Sequence, residues 1–105
     1  MKAVLAEAAA DELREAFAFY EQEQPGLGRR FLDEVEACRR RIERLPEAWH
    51  PLGEGLRRCR LRHFPYGLIY RVVADYIEII AVAHLHRAPE YWRRRTEDRE
   101  SPGGQ

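Results

Sequence analysis

The sequence has few of the residues that build metal sites, disulfide frameworks or membrane spans. It contains only two cysteines, Cys38 and Cys59, and no Cys-x-x-Cys pair, which argues against a zinc site or a disulfide scaffold. Long hydrophobic runs are missing, and the chain does not open on a secretory signal. We therefore expect a cytoplasmic protein that uses no metal or cofactor and enters no membrane. In that compartment we expect both cysteines to be buried free thiols rather than a disulfide.

Lysine is almost absent as well, because Lys2 is the only one and the other 17 basic residues are arginines. Arginine carries a planar fork of donors that suits phosphate and carboxylate groups, which favours an anionic partner. A codon bias toward arginine would explain the same composition without a function. The formal net charge is +0, but residues 1–56 hold 12 acidic and 8 basic side chains while residues 57–105 hold 6 and 10. The basic second half is therefore the place to seek an anion-binding surface.

What the chain does contain is enough for one domain, with 105 residues of which 45% are hydrophobic. Residues 2–5 form a short apolar edge strand. Helical spacing predicts one helix from Ala6 to about Gln24, a break at residues 25–28, and a second helix that ends before Pro46. The short link makes the helices an antiparallel hairpin. The apolar stripe of the second helix consists of Phe31, Val35, Cys38, Ile42 and Leu45.

Residues 57–92 organise the rest of the chain, as three short antiparallel strands that follow a loop over residues 47–56. Alternation puts Arg58, Arg60 and Arg62 on one face of the first strand. The predicted faces of the later strands are Leu68, Tyr70 and Val72 against Ile69, Arg71 and Val73, and then Ile77, Ile79, Ala81 and Ala83 against Glu78, Ile80, Val82 and His84. The sheet therefore has one apolar face, which the helices cover, and one basic face.

These elements predict an α+β fold: an N-terminal strand and a helical hairpin packed on a small antiparallel sheet, followed by a short C-terminal helical turn at residues 89–95. We assign residues 1–95 to a single domain and residues 96–105 to a flexible polar tail.

The order of these elements, together with short motifs spread from about Val4 to Arg95, resembles the RelE/ParE superfamily of bacterial toxins from type II toxin–antitoxin pairs. The matching residues are Tyr20, Glu21, Pro25-Gly26-Leu27-Gly28, Phe31-Leu32, Val35-Glu36, Arg58, Leu61, Phe64-Pro65-Tyr66, Ile69-Tyr70-Arg71, Ala83-His84, Arg87-Ala88-Pro89 and Tyr91-Trp92. No single motif is diagnostic, but the ordered combination is specific. The Phe-Pro-Tyr and His…Arg-x-Pro-x-Tyr-Trp motifs look like the ParE side.

The superfamily holds two activities, and the resemblance implies one of them for this chain. RelE-type members cut messenger RNA in the ribosomal decoding site, whereas ParE-type members inhibit DNA gyrase without being nucleases. A ParE-like toxin would arrest growth, stabilise plasmids and be neutralised by a cognate antitoxin, through which alone the pair would bind operator DNA. We expect the gyrase-binding residues to be Arg58, Arg60, Arg62, Arg87 and Arg93.

The alternative is a ribosome-dependent endoribonuclease, and the resemblance assigns it the set Arg58, Arg60, Arg71, His84, Arg87 and Tyr91. That set is incomplete, because Gly67 replaces an arginine of RelE nucleases and Arg93 stands at their tyrosine position, two residues from Tyr91. Whether the chain is an enzyme is left open. A third reading is a non-toxic, degenerate binding module.

Each candidate also has a structural explanation. The three arginines of the first strand could be a solvated face, although like charges on adjacent same-face positions favour an anion. His84 suits a general base, or equally a packed histidine bonded to the backbone. Arg87 is the strongest candidate, with a salt bridge to Glu90 as the alternative. Tyr91 and Trp92 are expected mainly to pack against the sheet.

Overall fold

Three helices and five strands make up the part of the chain that the structure, a computed structural model, describes, namely residues 1–100 with the side chains of residues 1–89 and 91–96. In chain order they are β1 (Lys2–Leu5), α1 (Glu7–Glu23), α2 (Leu27–Arg44), β2 (His50–Gly53), β3 (Leu56–Arg60), β4 (Tyr66–Val73), β5 (Tyr76–His84) and α3 (Glu90–Glu100). The predicted α+β fold is confirmed, including the N-terminal strand, the helical hairpin and the meander. None of these three helices is long and apolar enough to cross a membrane.

The link between α1 and α2 is held by one carboxylate, that of Glu21. It accepts hydrogen bonds from the backbone N–H groups of Gly26 at 2.9 Å and Gly28 at 3.0 Å, at the N-terminal end of α2. A negative charge there satisfies free donors and suits the helix dipole. A Cβ on Gly28 would lie 2.8 Å from the Phe17 ring and from Glu21, so a larger residue would push the two helices apart.

The sheet has the order β1-β5-β4-β3-β2, with β1 parallel to β5 and the other pairs antiparallel. Both edge strands are short, and both are protected against pairing with another chain. At the β1 edge, the Ala3 N–H donates to Glu43 at 2.7 Å and Arg39 donates to the Ala3 carbonyl at 3.5 Å. At the β2 edge, Pro51 is followed by a register shift before Gly53. Strand addition by a partner is therefore disfavoured at both edges.

The core consists of two clusters of buried residues rather than one. The larger contains residues of α1 and α2 together with one face of the sheet, among them Phe31, Cys38, Ile42, Leu68, Tyr70, Ile77 and Ile79. The smaller consists of Leu56, Ile69, Ile80, Ala81, Ala83 and Trp92, the last of which belongs to α3. The prediction of one apolar and one basic face is thus wrong for most of the sheet. Trp92 is 4% exposed and packs in the core, as predicted.

The predicted faces of β5 are also wrong, because a bulge interrupts the alternation. Ile69 pairs with Ala81 but the next residue, Tyr70, pairs with Ile79, so Ile80 is an extra residue. Ala81 and Ala83 consequently join Ile80 in the smaller cluster, and Val82 joins Ile77 and Ile79 in the larger one.

Three smaller corrections concern element boundaries. The predicted loop over residues 47–56 contains β2, whose Pro51 and Gly53 are typical of turns. The C-terminal helix runs to Glu100, five residues beyond its predicted end, so residues 96–100 of the predicted tail are helical. Residues 101–105 lie outside the described residues, and the flexibility of the tail stays a prediction. Leu45, expected in the apolar stripe, caps α2 and is 57% exposed.

Candidate functional site

A groove of about 470 Å³ opens beside the β2–β3 end of the sheet, and basic side chains dominate its lining. We call it the cationic groove and define it by Arg41, Trp49, His50, Arg58, Arg60 and Arg62. It joins α2, the segment entering β2, β3 and the residues just after β3. Three of the predicted target-binding arginines therefore lie together, although Arg62 follows the last residue of β3 rather than belonging to the strand.

Arg58 is held in the groove by the local strand geometry. It alternates with Cys59, which faces the larger core cluster, and it lies beside Gly67 of β4. A Cβ at Gly67 would be 3.0 Å from the Arg58 Cγ, so the glycine leaves the space that the arginine stem occupies. Burial, and then the charge of Arg60, lowers the pKa of Arg58. Its Nε is buried and has no hydrogen-bond partner among the described residues.

The groove lacks compensating negative charge. Among the described residues, no carboxylate oxygen lies within 4.0 Å of the four guanidinium groups. Arg41 donates instead to the Arg60 carbonyl at 3.1 Å, and the Trp49 indole N–H donates to the Arg41 carbonyl at 3.3 Å. The orientation of Trp49 is thereby fixed, and four positive charges converge on one open space.

Glu34 lies next to the residues that follow β3, and its carboxylate bonds to the backbone. Its Oε1 accepts hydrogen bonds from the N–H groups of Arg62 and His63, both at 2.9 Å, and its Oε2 contacts the His63 ring. Burial alone would raise the pKa of Glu34, but these bonds outweigh it and hold the pKa below its usual value. Glu34 therefore fixes the chain after β3 without neutralising the groove.

A second basic region lies along α3, and its arginines contact carboxylates, carbonyls or an aromatic ring of the protein. We call it the α3 seam and define it by Glu12, Arg87, Tyr91, Arg93 and Arg95. Arg95 forms a two-pronged ion pair with Glu12 at 3.1 and 2.9 Å and also donates to the Ile80 carbonyl at 2.6 Å. Arg93 pairs with Glu54 at 3.3 Å and donates to the Leu52 carbonyl at 3.0 Å. These contacts fasten α3 to α1 and to β2.

Arg87 is exposed and lies at the edge of the α3 seam. Its guanidinium stacks over the Tyr91 ring at 3.8 Å from the centroid, which is cation–π geometry. It lines a cavity of about 260 Å³ with Glu12, Glu15, Tyr66, His84 and Tyr91 among the other lining residues. The Glu90 side chain, the alternative partner of Arg87, lies outside the described residues. Burial raises the pKa of Tyr91 to about 12.

His84 matches the packed alternative. It is partly buried, its ring contacts those of Tyr66 and His86 edge-on at 5.1 and 5.2 Å, and its Nδ1 accepts a hydrogen bond from the His86 N–H at 3.2 Å. The two cysteines are buried free thiols, as predicted, with the Cys38 Sγ donating to the Cys59 carbonyl at 3.3 Å.

Comparison with known proteins identifies the family. Residues 3–89 match the family model described as the ParE toxin of the type II toxin–antitoxin system, parDE. The chain belongs to the ParE toxin family. Toxin ParE2 of Mycobacterium tuberculosis, from strains CDC 1551 / Oshkosh and ATCC 25618 / H37Rv, is 37% identical over 75 residues, which cover 70% of this chain and 71% of that protein.

A solved structure agrees with the fold of this ParE toxin. The chromosomal ParDE TA system from P. aeruginosa matches with a TM-score of 0.74 at 18% identity, covering 82% of this chain and 97% of that chain. The predicted RelE/ParE superfamily and its ParE-like branch are confirmed, and the protein is a ParE-type toxin of a type II toxin–antitoxin system. Membership in this family implies an antitoxin partner.

In this ParE toxin the predicted nuclease residues lie in three separate places. Arg58 and Arg60 line the cationic groove, whereas His84, Arg87 and Tyr91 line the cavity beside the α3 seam. Arg71 belongs to neither, because it pairs with Glu78 at 3.1 Å and both side chains are nearly buried. Of the predicted gyrase-binding residues, Arg58, Arg60 and Arg62 lie together, Arg93 belongs to α3, and Arg87 lies just before α3 and stacks on its Tyr91.

Sequence reasoning missed three residues of the cationic groove, namely Arg41, Trp49 and His50. Arg41 belongs to the second helix, where no site was expected, and the other two were assigned to a loop. One signal could have found Arg41: it lies on α2 one turn after Cys38, and Cys38 meets Cys59 between Arg58 and Arg60. A predicted contact between the two buried cysteines would have placed Arg41 near the arginines of β3.

Proposed function

We propose that this ParE toxin inhibits DNA gyrase in the cytoplasm and holds the enzyme in a DNA-cleaved state, and that its antitoxin neutralises it. Family membership supports the toxin role. The observation that carries the choice of gyrase over messenger RNA is the surroundings of Gly67. At the position where RelE nucleases place an arginine, a Cβ would lie 3.0 Å from the Arg58 Cγ and 3.2 Å from its Cδ, so a side chain there would crowd the Arg58 stem. A nuclease-like arginine at this position would therefore require Arg58 to shift within the groove.

The chemistry of the remaining nuclease candidates supports the same choice. A general acid or base works best when its pKa lies near the operating pH. Tyr91, with a pKa raised to about 12, is far from that range. Arg71 is engaged by Glu78 rather than directed toward the other candidates.

We assign the gyrase contact to the exposed end of the α3 seam, with Arg87 at its centre. The Tyr91 ring supports the Arg87 guanidinium from below, so the charge is presented in a fixed position at the rim of a cavity. Exposed, pre-oriented arginines are frequent anchors of protein interfaces. Arg93 lies farther along α3 and contributes to the surface while holding Leu52 of β2 and Glu54 of the β2–β3 turn.

The experiment is a gyrase supercoiling and cleavage assay with the purified full chain, paired with induction in bacteria. Wild type should block supercoiling, accumulate cleaved plasmid and stop DNA synthesis before protein synthesis. Arg87→Ala should lose this activity, because the proposed gyrase contact is removed. It should still fold normally, because the cation–π contact contributes only about 0.5–1 kcal/mol to stability at an exposed site. Arg14→Ala, on the exposed face of α1, is the matched control and should remain toxic.

Several outcomes would count against this proposal. Unchanged killing by Arg87→Ala would remove the role of that residue. Early failure of protein synthesis, with messages cut on translating ribosomes, would establish a ribonuclease. Harmless accumulation of wild-type protein without antitoxin would establish a binding module.

The antitoxin segment, we propose, binds as a helix in the groove between the hairpin and β1. Both sheet edges are protected, which disfavours an added strand. The groove, about 320 Å³, has an apolar floor and a charged rim, the pattern that receives an amphipathic helix. Its apolar lining consists of Leu5, Leu13, Leu32, Val35 and Ile79. Antitoxin binding should slow amide exchange in α1 and α2; slowing confined to β2 would contradict this mode.

A further inference from the structure

We propose that the cationic groove binds the phosphodiester backbone of an extended single strand of DNA. The inference rests on the proposed function for its choice of DNA, since a toxin that holds gyrase in a cleaved state acts where DNA is opened. The groove itself supplies the chemistry, which is four guanidinium groups with two aromatic rings and no carboxylate.

The first step of the argument is electrostatic. Arg58 and Arg60 are successive same-face residues of β3, and like charges so placed repel each other. Burial, and after it the charge of Arg60, already lowers the pKa of Arg58 in the free protein. Because the described residues offer these four arginines no carboxylate, an anion from outside would relieve the repulsion. Arginine forks form charge-assisted pairs of hydrogen bonds with phosphate oxygens.

The second step is geometric. Alternate residues of a strand are separated by about 6.6 Å, so Arg58 and Arg60 place two guanidinium groups side by side on β3, and Arg62, two residues past the strand, lines the same groove. Guanidinium groups distributed along a groove in this way suit successive phosphates of an extended strand, whereas a single small anion would engage only part of the set.

The third step separates nucleic acid from an acidic peptide. Trp49 and His50 line the same groove. Trp49 is partly buried against the larger core cluster and its indole N–H donates to the Arg41 carbonyl, so the part of the ring that lines the groove is held in place. Aromatic faces next to a basic track are the usual means of holding single-stranded nucleic acid, because every base can stack. The carboxylates of an acidic peptide would use the guanidinium groups alone, whereas a nucleic acid strand uses both the guanidinium groups and the rings. The formal net charge of +0 also means that salt-dependent DNA binding by this chain would have to arise from a local surface.

The test measures binding of the full chain alone to fluorescent oligothymidylate over a range of salt concentrations. The variant is Arg58→Gln combined with Arg60→Gln. The control, Arg14→Gln combined with Arg40→Gln, removes the same charge from two exposed arginines outside the groove, each 70% exposed. Circular dichroism and urea unfolding check that both variants fold.

Wild type and control should bind alike, and the groove variant should bind about tenfold more weakly or worse. The plot of log association constant against log salt should be shallower by about 1.4 for the groove variant, at about 0.7 per lost phosphate contact. If wild type binds oligouridylate as tightly as oligothymidylate, the groove recognises the phosphodiester backbone and does not distinguish ribose from deoxyribose. Duplex DNA should bind more weakly, since its bases cannot reach the rings.

Equal losses in the groove variant and the control would overturn the proposal, and so would a preference for polyglutamate over oligothymidylate. No gyrase enters this assay, so the two proposals can fail separately. If the groove variant loses DNA binding but wild type does not inhibit gyrase, only the proposed function is refuted. If wild type inhibits gyrase but the groove variant still binds DNA, only this inference is refuted.

Discussion

The cationic groove and the α3 seam contain arginines that look alike in the sequence and differ in their surroundings. In the α3 seam, Arg95 meets both oxygens of Glu12 and Arg93 meets Glu54 and a backbone carbonyl. In the groove, Arg58 and Arg60 meet no carboxylate among the described residues, and Arg58 is partly desolvated. The charges of Arg93 and Arg95 are therefore compensated by carboxylates within the fold, and those of Arg58 and Arg60 are not.

This difference teaches that the number of arginines is a poor guide to a binding surface. An arginine paired with a carboxylate inside the fold has little attraction left for a ligand, and removing it leaves that carboxylate uncompensated. An unpaired arginine costs stability in the free protein and is compensated when an anion binds. Substitutions in the two regions should therefore have opposite effects on stability.

The largest effect is expected from Arg95→Gln. Side-chain exposure is only 24% for Arg95 and 15% for Glu12, so the substitution leaves a mostly buried carboxylate without its main partner. We expect a loss of about 2–3 kcal/mol in the free energy of unfolding. That loss corresponds to a decrease of roughly 10 °C or more in Tm. Urea unfolding of the full chain measures the change.

Arg14→Gln is the control for that experiment. Arg14 also pairs with a carboxylate, that of Asp11, but the two side chains are 70% and 55% exposed. Exposed pairs contribute about 0.5 kcal/mol or less. If Arg95→Gln lowered the free energy of unfolding as little as Arg14→Gln, the ion pair of Arg95 with Glu12 would not stabilise the packing of α3 as its geometry indicates.

Parts of this arrangement were predictable from sequence because they depend on periodicity. The stripe of α2 from Phe31 to Ile42 and the alternation of Arg58 with Cys59 follow from local geometry alone. The bulge at Ile80 does not, because residues 77–83 are apolar at every position but Glu78, and either face would accept them. β2 could not be predicted because its sequence looks unlike a strand: Pro51 and Gly53 are residues that usually end strands.

The separation of paired from unpaired arginines was beyond sequence reasoning for another reason. The partner of Arg95 lies 83 positions earlier, on α1, and Arg41 reaches β3 from a different layer of the fold. No local pattern indicates such pairings, which depend on how the layers pack. Sequence therefore located the basic half of the molecule, and only the tertiary structure divided its arginines by role.

The smallest effect on stability, and the sharpest test of the comparison, is expected from Arg58→Gln. The substitution removes a charge that repels Arg60 and a buried Nε without a partner, while glutamine keeps part of the aliphatic stem beside Gly67. The free energy of unfolding should change by less than about 0.5 kcal/mol, or should rise. Added oligothymidylate should then stabilise wild type more than the variant, because a ligand stabilises the folded state by RT ln(1 + [L]/Kd), which is larger for the tighter binder. A loss as large as that of Arg95→Gln would show that Arg58 holds the fold together, and the contrast between the two regions would disappear.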